Sequence, residues 1–415
     1  MPNRLPILIL FKGAGGDADW IMPVILELSK KYDVYSYFKS QQAYQSIKSN
    51  KEIFHFWKKI NKGFFIDSIY YNFFWKSLRK FFFLFFLNEK IISFLNKKIH
   101  DIFFLKKKLL GKNFNNEFKF VFSEYNYPNS WLDSIRENND KTLIIHYPHT
   151  PNITFFKKKF KSNYKLVGDL LLISGKGDLN RWKNFIDIKK IYSLGIPRYD
   201  KSWIKKIVNF KKKKNVNKKN FVVTIPYKSF YDLYPEKKKK LENQFNLILQ
   251  TLLSFSNIVI VFKIHPRINS KHFFILLKKY NKFKKRIIVT NSHLYNLANN
   301  SNLFICNTNT ATIFDSIFFK VPTIQFAEAF KNMDGRENFN SFYKKNNISL
   351  IFKNQDQLQK ILIDLMNKRN MKKWKLQYKK FTIFYDTSNS IKKIIYFLEK
   401  KYNQKFDDKK YLLNN

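Results

Sequence analysis

The sequence predicts an α/β protein built from two parallel-sheet units. Three observations carry this. Short apolar runs recur along the chain and end in Gly, Pro or Asn. Amphipathic stretches of helical length separate most of them. A polar, charged segment, Lys211–Asn220 (KKKKNVNKKN), has no apolar face and divides the runs into two groups.

Leu5–Phe11 (LPILILF) reads as a buried strand closed by Gly13, Ala14, Gly15 and Gly16. Asp17–Lys30 follows as a helix with Trp20, Ile21, Val24, Ile25 and Leu28 on one side, and Asp33–Phe38 is the next strand. Residues 50–112 interleave Phe, Tyr and Trp with Lys and are expected to be a mostly helical insertion. Its aromatic face would pack into the domain or lie on an anionic bilayer. Strands follow at Phe118–Ser123, Thr142–His146, Leu170–Ser174 and Ile191–Gly195, with helices at Trp131–Glu137 and Asp178–Ile186.

Beyond the linker, strands are expected at Phe221–Ile225, Ile258–Ile264, Arg286–Thr290, Leu303–Asn307 and Thr323–Phe326. Helices are expected at Pro235–Phe255, His272–Lys282, His293–Asn299, Thr310–Phe319, Asp356–Asn367 and Ser388–Tyr402. The boundaries are then 1–210 for an acceptor-side domain, 211–220 for the linker, 221–385 for a donor-side domain and 386–415 for a closing helix and tail. A ligand cleft is expected between the domains, at the carboxyl ends of parallel strands.

Composition narrows the function classes. The chain has 415 residues, 45% of them hydrophobic, so it can bury a sizeable core. One cysteine, Cys306, excludes an internal disulfide framework and a Cys-based zinc site. Seventy-eight Lys or Arg against 30 Asp or Glu give a net charge of +48. Abundant Lys, Asn, Ile, Phe and Tyr are what an AT-rich coding sequence imposes, so a solvated Lys surface accounts for part of this charge. Attraction to anionic ligands accounts for the alternative. The amino-terminal apolar run has no cleavage pattern, and Phe81–Leu87 is far short of the ~20 residues of a spanning helix. The expected location is the cytoplasm, with contact to the inner face of the plasma membrane.

Five motifs could carry chemistry. Gly13, Gly15, Gly16 and Asp17 form a strand-to-helix turn whose backbone can approach a ligand. The spacing is not that of a dinucleotide site, and an acceptor-facing loop is the better use. His146 and His149 sit in His146-Tyr147-Pro148-His149-Thr150-Pro151 at a strand's end, where either could take a proton near neutral pH or serve structurally. His265 and Arg267, in Lys263-Ile264-His265-Pro266-Arg267, could contact phosphate. Asn309, Thr310 and Thr312 precede a helix and could either cap it or cradle a diphosphate. In Gly195-Ile196-Pro197-Arg198-Tyr199-Asp200, Arg198 and Asp200 could pair with each other or face the cleft. No carboxylate or His–carboxylate cluster resembles a metal site, and neither metal nor cofactor is expected.

The order of these motifs resembles the CDP-glycerol glycerophosphotransferases, the teichoic-acid polymerases and their relatives in capsule and surface-polysaccharide synthesis. It runs His-Thr-Pro, Gly-x-Pro-Arg-x-Asp, Lys-x-His-Pro, then a Thr-rich helix start followed by Phe314-Asp315 and Lys320-Val321-Pro322. The resemblance covers roughly residues 120–325 and implies a GT-B-like fold of two Rossmann-like domains facing across a cleft. It implies His149 as general base, His265 beside the donor phosphates, Thr310 at the phosphate site and Arg198 near the cleft, among the donor-phosphate contacts. The family's Gly between His and Thr-Pro is missing, which leaves His146 and His149 both open as the base. Its Asp-Tyr-Ser-Ser is here Thr308-Asn309-Thr310-Ala311, which leaves the donor open among CDP-glycerol, CDP-ribitol and a nucleotide sugar.

The implied activity is transfer of a glycerophosphate, polyol-phosphate or sugar unit from a CDP- or UDP-linked donor to a polysaccharide or lipid-linked acceptor. Two alternatives stand beside it. A nucleotide-sugar 2-epimerase would share the fold, but no Ser-Gly-Gly-type run follows Leu303–Asn307. A basic nucleic-acid-binding protein would share the charge, but no zinc-finger, RNA-recognition or helix-turn-helix signature is present, so no nucleic-acid partner is expected.

Overall fold

The structure is a computed structural model that describes residues 4–12, 15–66, 118–124, 132, 135–136, 141–148, 168–175, 178–179, 182–183, 186–210, 220–227, 238–264, 270–306, 312–326, 349–369, 371–385 and 388–413. Most of the aromatic/Lys-rich insertion and nearly all of the linker lie outside these residues. The described chain forms two compact units. One holds the residues up to Trp203 and the carboxyl-terminal helix, and the other holds Ile204–Tyr385.

The first unit is a seven-stranded sheet. Its elements are β1 (Pro6–Phe11), α1 (Gly15–Leu28), β2 (Asp33–Phe38), α2 (Gln41–Lys48), α3 (Lys51–Ile60), β3 (Asn61–Ile66), β4 (Phe120–Glu124), β5 (Leu143–Tyr147), β6 (Leu170–Ile173) and β7 (Ile191–Ser193). The strand order is β3-β2-β1-β4-β5-β6-β7, and every pairing is parallel. A parallel sheet is covered on both faces, which is why β1, β4, β5 and β6 are runs of apolar residues rather than alternating ones. The order reverses between β1 and β4, and that switch point opens a crevice at the carboxyl edge.

The second unit follows α4 (Lys201–Phe210). It contains β8 (Phe221–Tyr227), α5 (Lys238–Leu253), β9 (Ile258–Ile264), α6 (Ser270–Lys278), β10 (Ile287–Thr290), α7 (Leu294–Ala298), β11 (Leu303–Cys306), α8 (Thr312–Phe318), β12 (Thr323–Phe326), β13 (Leu350–Phe352), α9 (Gln355–Met366) and α10 (Met371–Phe384). Its sheet runs β10-β9-β8-β11-β12-β13, again parallel throughout, with the switch between β8 and β11. The core joins Val223, Ile225, Leu249, Ile260, Phe262 and Ile305 to Leu358 and Leu362 of α9. The α/β class with two Rossmann-like domains is therefore what the chain adopts.

Two features depart from the sequence reading. Asn61–Ile66 is a parallel edge strand, not helix. Its aromatic residues decide this: Phe65 stacks on Tyr37 at 5.5 Å and Phe64 on Tyr44 at 5.5 Å, packing that a continued helix would forfeit. The helix expected from Thr310 is described over Thr312–Phe318, and residues 310 and 311 lie outside the described residues. The closing helix α11 (Ser390–Leu413) belongs to the first unit rather than standing apart. There Lys119 donates to Glu399 at 2.8 Å and to the Tyr32 hydroxyl at 2.7 Å, and Tyr32 donates to Glu399 at 2.5 Å. Burial raises the Glu399 carboxyl, but the Lys119 and Tyr32 hydrogen bonds outweigh it and hold the group below its ordinary range. Phe397 on Tyr192 and Tyr402 on Phe120 complete the contact.

Candidate functional site

In the first unit, β1 ends at Phe11, β4 at Glu124 and β5 at Tyr147, all on the carboxyl edge beside the switch point. The chain leaves that edge into Gly13–Asp17 and into Pro148-His149. Gly15, Gly16 and Asp17 form the first turn of α1. Gly13 and His149 lie outside the described residues. Glu124, buried and opposite Tyr147 in register, is a carboxylate at this edge that the motif search passed over. Nothing in the spacing of a single strand end marks it. Trp20 of α1 stacks on Tyr147 at 5.5 Å and fixes the helix over the strand end.

His146 is one residue inside β5 and is 1% exposed. Its Nε2 accepts the Gly168 backbone N–H at 3.1 Å. A Cβ at Gly168 would fall 2.2 Å from His146 Cδ2, so that position admits only glycine while the ring stays in place. Burial pushes the imidazole down to about 4, against the raising influence of the Glu124 and Ser123 backbone and of Asp169. The ring is enclosed and its Nε2 lone pair is engaged, while Nδ1 has no hydrogen-bond partner among the described residues.

Arg198 is buried, and its Nη2 lies 2.9 Å from Asp19 Oδ2 on α1. The expectation offered Asp200 as its ion-pair partner, but the ion pair observed is with Asp19. Asp200 Oδ1 accepts from the Ser202 N–H at 3.0 Å and the Ser202 hydroxyl at 2.8 Å, capping α4, and Oδ2 accepts from Ile391 N at 3.4 Å. The Gly-x-Pro-Arg-x-Asp segment thus ties α1, α4 and α11 together. Gly195 opens it at φ 88°, a conformation that suits glycine.

In the second unit, β9 ends at Ile264 and β11 at Cys306, flanking β8 at the switch point. His265 and Arg267 follow β9 directly, and Asn309 and Thr310 follow β11. All four lie outside the described residues. Thr312, half-buried, begins α8. The rest of this motif is structural. Phe314 packs on Tyr385 at 5.0 Å and Phe381 at 5.3 Å. Lys320, at φ 60°, ends the helix: its N–H reaches Ile317 O at 2.8 Å and the Val321 N–H reaches Ser316 O at 2.9 Å. Burial raises the Cys306 thiol strongly, so it is inert rather than nucleophilic. Among the described residues no cluster of His, Cys, Asp or Glu could hold a metal ion, and no helix is long and apolar enough to cross a membrane.

With this geometry in view, the chain was compared with known proteins. No family model matches it, and no curated protein is close enough in sequence to match. Solved structures do match. A UDP-N-acetylglucosamine 2-epimerase of Listeria monocytogenes superposes at a TM-score of 0.60 with 12% identity, over 97% of both chains. The UDP-GlcNAc 2-epimerase of Neisseria meningitidis, bound to UDP-GlcNAc, gives 0.61 and 10%, over 95% of this chain and 100% of that one. A variant of the wall teichoic acid polymerase TagF gives 0.56 and 13%, over 97% and 90%. At these identities the likeness establishes the architecture: a GT-B fold of two Rossmann-like domains.

Proposed function

We propose that the protein is a transferase. It moves a glycerophosphate, polyol-phosphate or sugar unit from a CDP- or UDP-linked donor to an envelope polysaccharide or teichoic-acid-like acceptor. The observation that carries this reading is the placement of the motifs. Each histidine motif follows a strand one place from its sheet's switch point, β5 beside β4 and β9 beside β8, at the carboxyl edge where ligands of open α/β sheets are held. The GT-B likeness to TagF supports it.

In this reading His149 removes the proton from the acceptor hydroxyl. His146 does not, because its Nε2 lone pair is already engaged by Gly168. His265 and Arg267 hold the donor phosphates and offset the charge on the departing group, and Asn309, Thr310 and Thr312 add neutral donors. The reading asks for no bound metal. Arg198 supports the site from within the first unit through Asp19. The Gly13–Asp17 turn would face the acceptor, which is soluble polysaccharide or lipid-linked at the inner membrane face.

A second reading, a nucleotide-sugar 2-epimerase, is favoured by the epimerase structures that share the fold. The two differ in their products. Displacement at phosphorus of CDP-glycerol releases CMP, and glycosyl transfer releases a nucleoside diphosphate. An epimerase acting on UDP-GlcNAc returns its 2-epimer without acceptor consumption. Mass spectrometry of reactions with CDP-glycerol, CDP-ribitol and UDP-sugars, each with and without acceptor, separates them. Acceptor-dependent nucleotide release supports the transferase. A 2-epimer formed without acceptor overturns it.

A further inference from the structure

The β9–α6–β10 edge of the second unit exposes both apolar and cationic side chains. β10 is an edge strand, paired only with β9. Phe273, Leu276, Leu277, Phe283 and Ile287 of this segment face inward and join the unit's core. Exposed apolar side chains flank it: Phe274 is 46% exposed and Ile275 57% on α6, and on β10 Val289, on the sheet face that Ile287 shares, is 36% exposed, while Ile288 points to the opposite face. Phe274, Ile275 and Val289 fall within sixteen residues.

The charge around them has one sign. Lys278, Lys279, Lys282, Lys284 and Lys285 are exposed in the same segment. On α6, Phe274 and Lys278 are four residues apart, so an apolar and a cationic group share one solvent arc, and Lys279 follows at the helix end. Arg286 is not among the free cations, since its guanidinium holds the carbonyls of Leu253 and Phe255. Between Glu242 and Asp315 the chain has no Asp or Glu at all. With 30 acidic residues in 415, the chain's own average would place about five there. Codon bias explains many lysines, but it does not explain the missing carboxylates in this one stretch.

We propose that this edge docks on an anionic lipid bilayer. Phe274 and Ile275 enter the headgroup–acyl boundary, Val289 extends the apolar contact, and the five lysines meet the phosphate and carboxylate headgroups. Aromatic and aliphatic tips ringed by lysine match that boundary, where the apolar layer lies beneath an anionic one. A nucleic acid would take up the lysines but leave the exposed aliphatic groups in water. A second copy of so basic an edge would meet like charge. This surface lies outside the 50–112 segment and does not depend on which donor the enzyme uses.

The test is sedimentation of the full chain with vesicles of phosphatidylcholine containing 30 mol% phosphatidylserine, and with phosphatidylcholine alone. Expected is binding to the anionic vesicles, lowered about tenfold by Phe274→Ser with Ile275→Ser. Each Lys→Gln change at 278, 279 or 282 lowers it about fivefold. Those residues are exposed, so unchanged thermal melting of the variants shows that the fold is kept. A second readout uses Phe274→Cys labelled with an environment-sensitive dye, since the native Cys306 is buried. Its emission shifts to the blue on adding anionic vesicles. Unchanged vesicle binding by the variants overturns the proposal. So does lipid-free self-association that Phe274→Ser abolishes, or tighter binding to generic RNA than to the vesicles.

Discussion

Replacing Arg198 by Met separates a structural role from direct contact with donor phosphate. In the structure the guanidinium is 3% exposed and Asp19 is 6% exposed, with 2.9 Å between them. Removing the cation leaves a carboxylate enclosed beside Met. Breaking a buried pair from one side costs about 3–5 kcal/mol, because the remaining charge keeps its desolvation penalty without its partner. Replacing both members removes that penalty, so Asp19→Leu combined with Arg198→Met recovers most of the loss. The assay is calorimetric melting of wild type, both single variants and the double variant. The chain forms two compact units, so the transition of the first unit is followed rather than one global midpoint. At about 2–4 °C per kcal/mol for a unit of this size, the single variant melts roughly 6–20 °C lower. A single variant that melts within 2 °C of wild type while losing nucleotide affinity would refute the reasoning, since that is the behaviour of a phosphate ligand. A double variant no better than the single would refute the pairing.

Further outcomes follow from the same geometry. Gly168→Ala drives a methyl into the His146 ring and is expected to destabilise the first unit by about 2–4 kcal/mol, read by urea unfolding; His146→Ala in the same chain relieves part of it. Because His146 titrates near 4 when folded and near 6.5 when unfolded, the unfolded state binds the extra proton between those values. Its neutral form thus gives full stability above about pH 6.5, and up to about 3 kcal/mol is lost as pH falls to 4. His146→Gln should flatten that part of the stability–pH curve, and a curve of unchanged slope would contradict the assignment. Glu399→Gln leaves Lys119 without its carboxylate and is expected to cost about 1–3 kcal/mol, seen as faster amide exchange in the first turns of α11. His149→Ala and His265→Ala should each lower transfer by at least ~10²-fold, with melting unchanged, once the donor is in hand.

How much of this was legible in the sequence depended on where each signal lay. Buried parallel strands announce themselves, because both faces are covered and the run is apolar; Asp33–Phe38, Ile258–Ile264 and Thr323–Phe326 have the bounds the sequence implies. Edge elements do not. β3 is half-buried and its pattern is set by Tyr37 and Tyr44, distant in the helical reading. β13 is three residues long and too short to carry a period. The site was legible as motifs at strand ends, not as partnerships. Arg198 stood out for its residue type, but Asp19, its ion-pair partner, lies about 180 residues earlier on another element. His146 and His149 looked equivalent in sequence, and only the Gly168 N–H distinguishes His146 as a core residue. The place of α11 in the first unit rests on Glu399, Phe397 and Tyr402, whose partners are scattered over three other segments.

The central claim is that a donor's phosphates are held at the carboxyl edge of the second sheet by the residues that follow β9 and β11. Isothermal titration of CDP, UDP and the corresponding nucleosides to wild type, His265→Ala, Arg267→Ala and Thr310→Val measures it. The account predicts at least about tenfold weaker binding of the diphosphates to the His265 and Arg267 variants, a smaller loss for Thr310→Val, and little change for the nucleosides. Equal diphosphate affinity in all four proteins would contradict it.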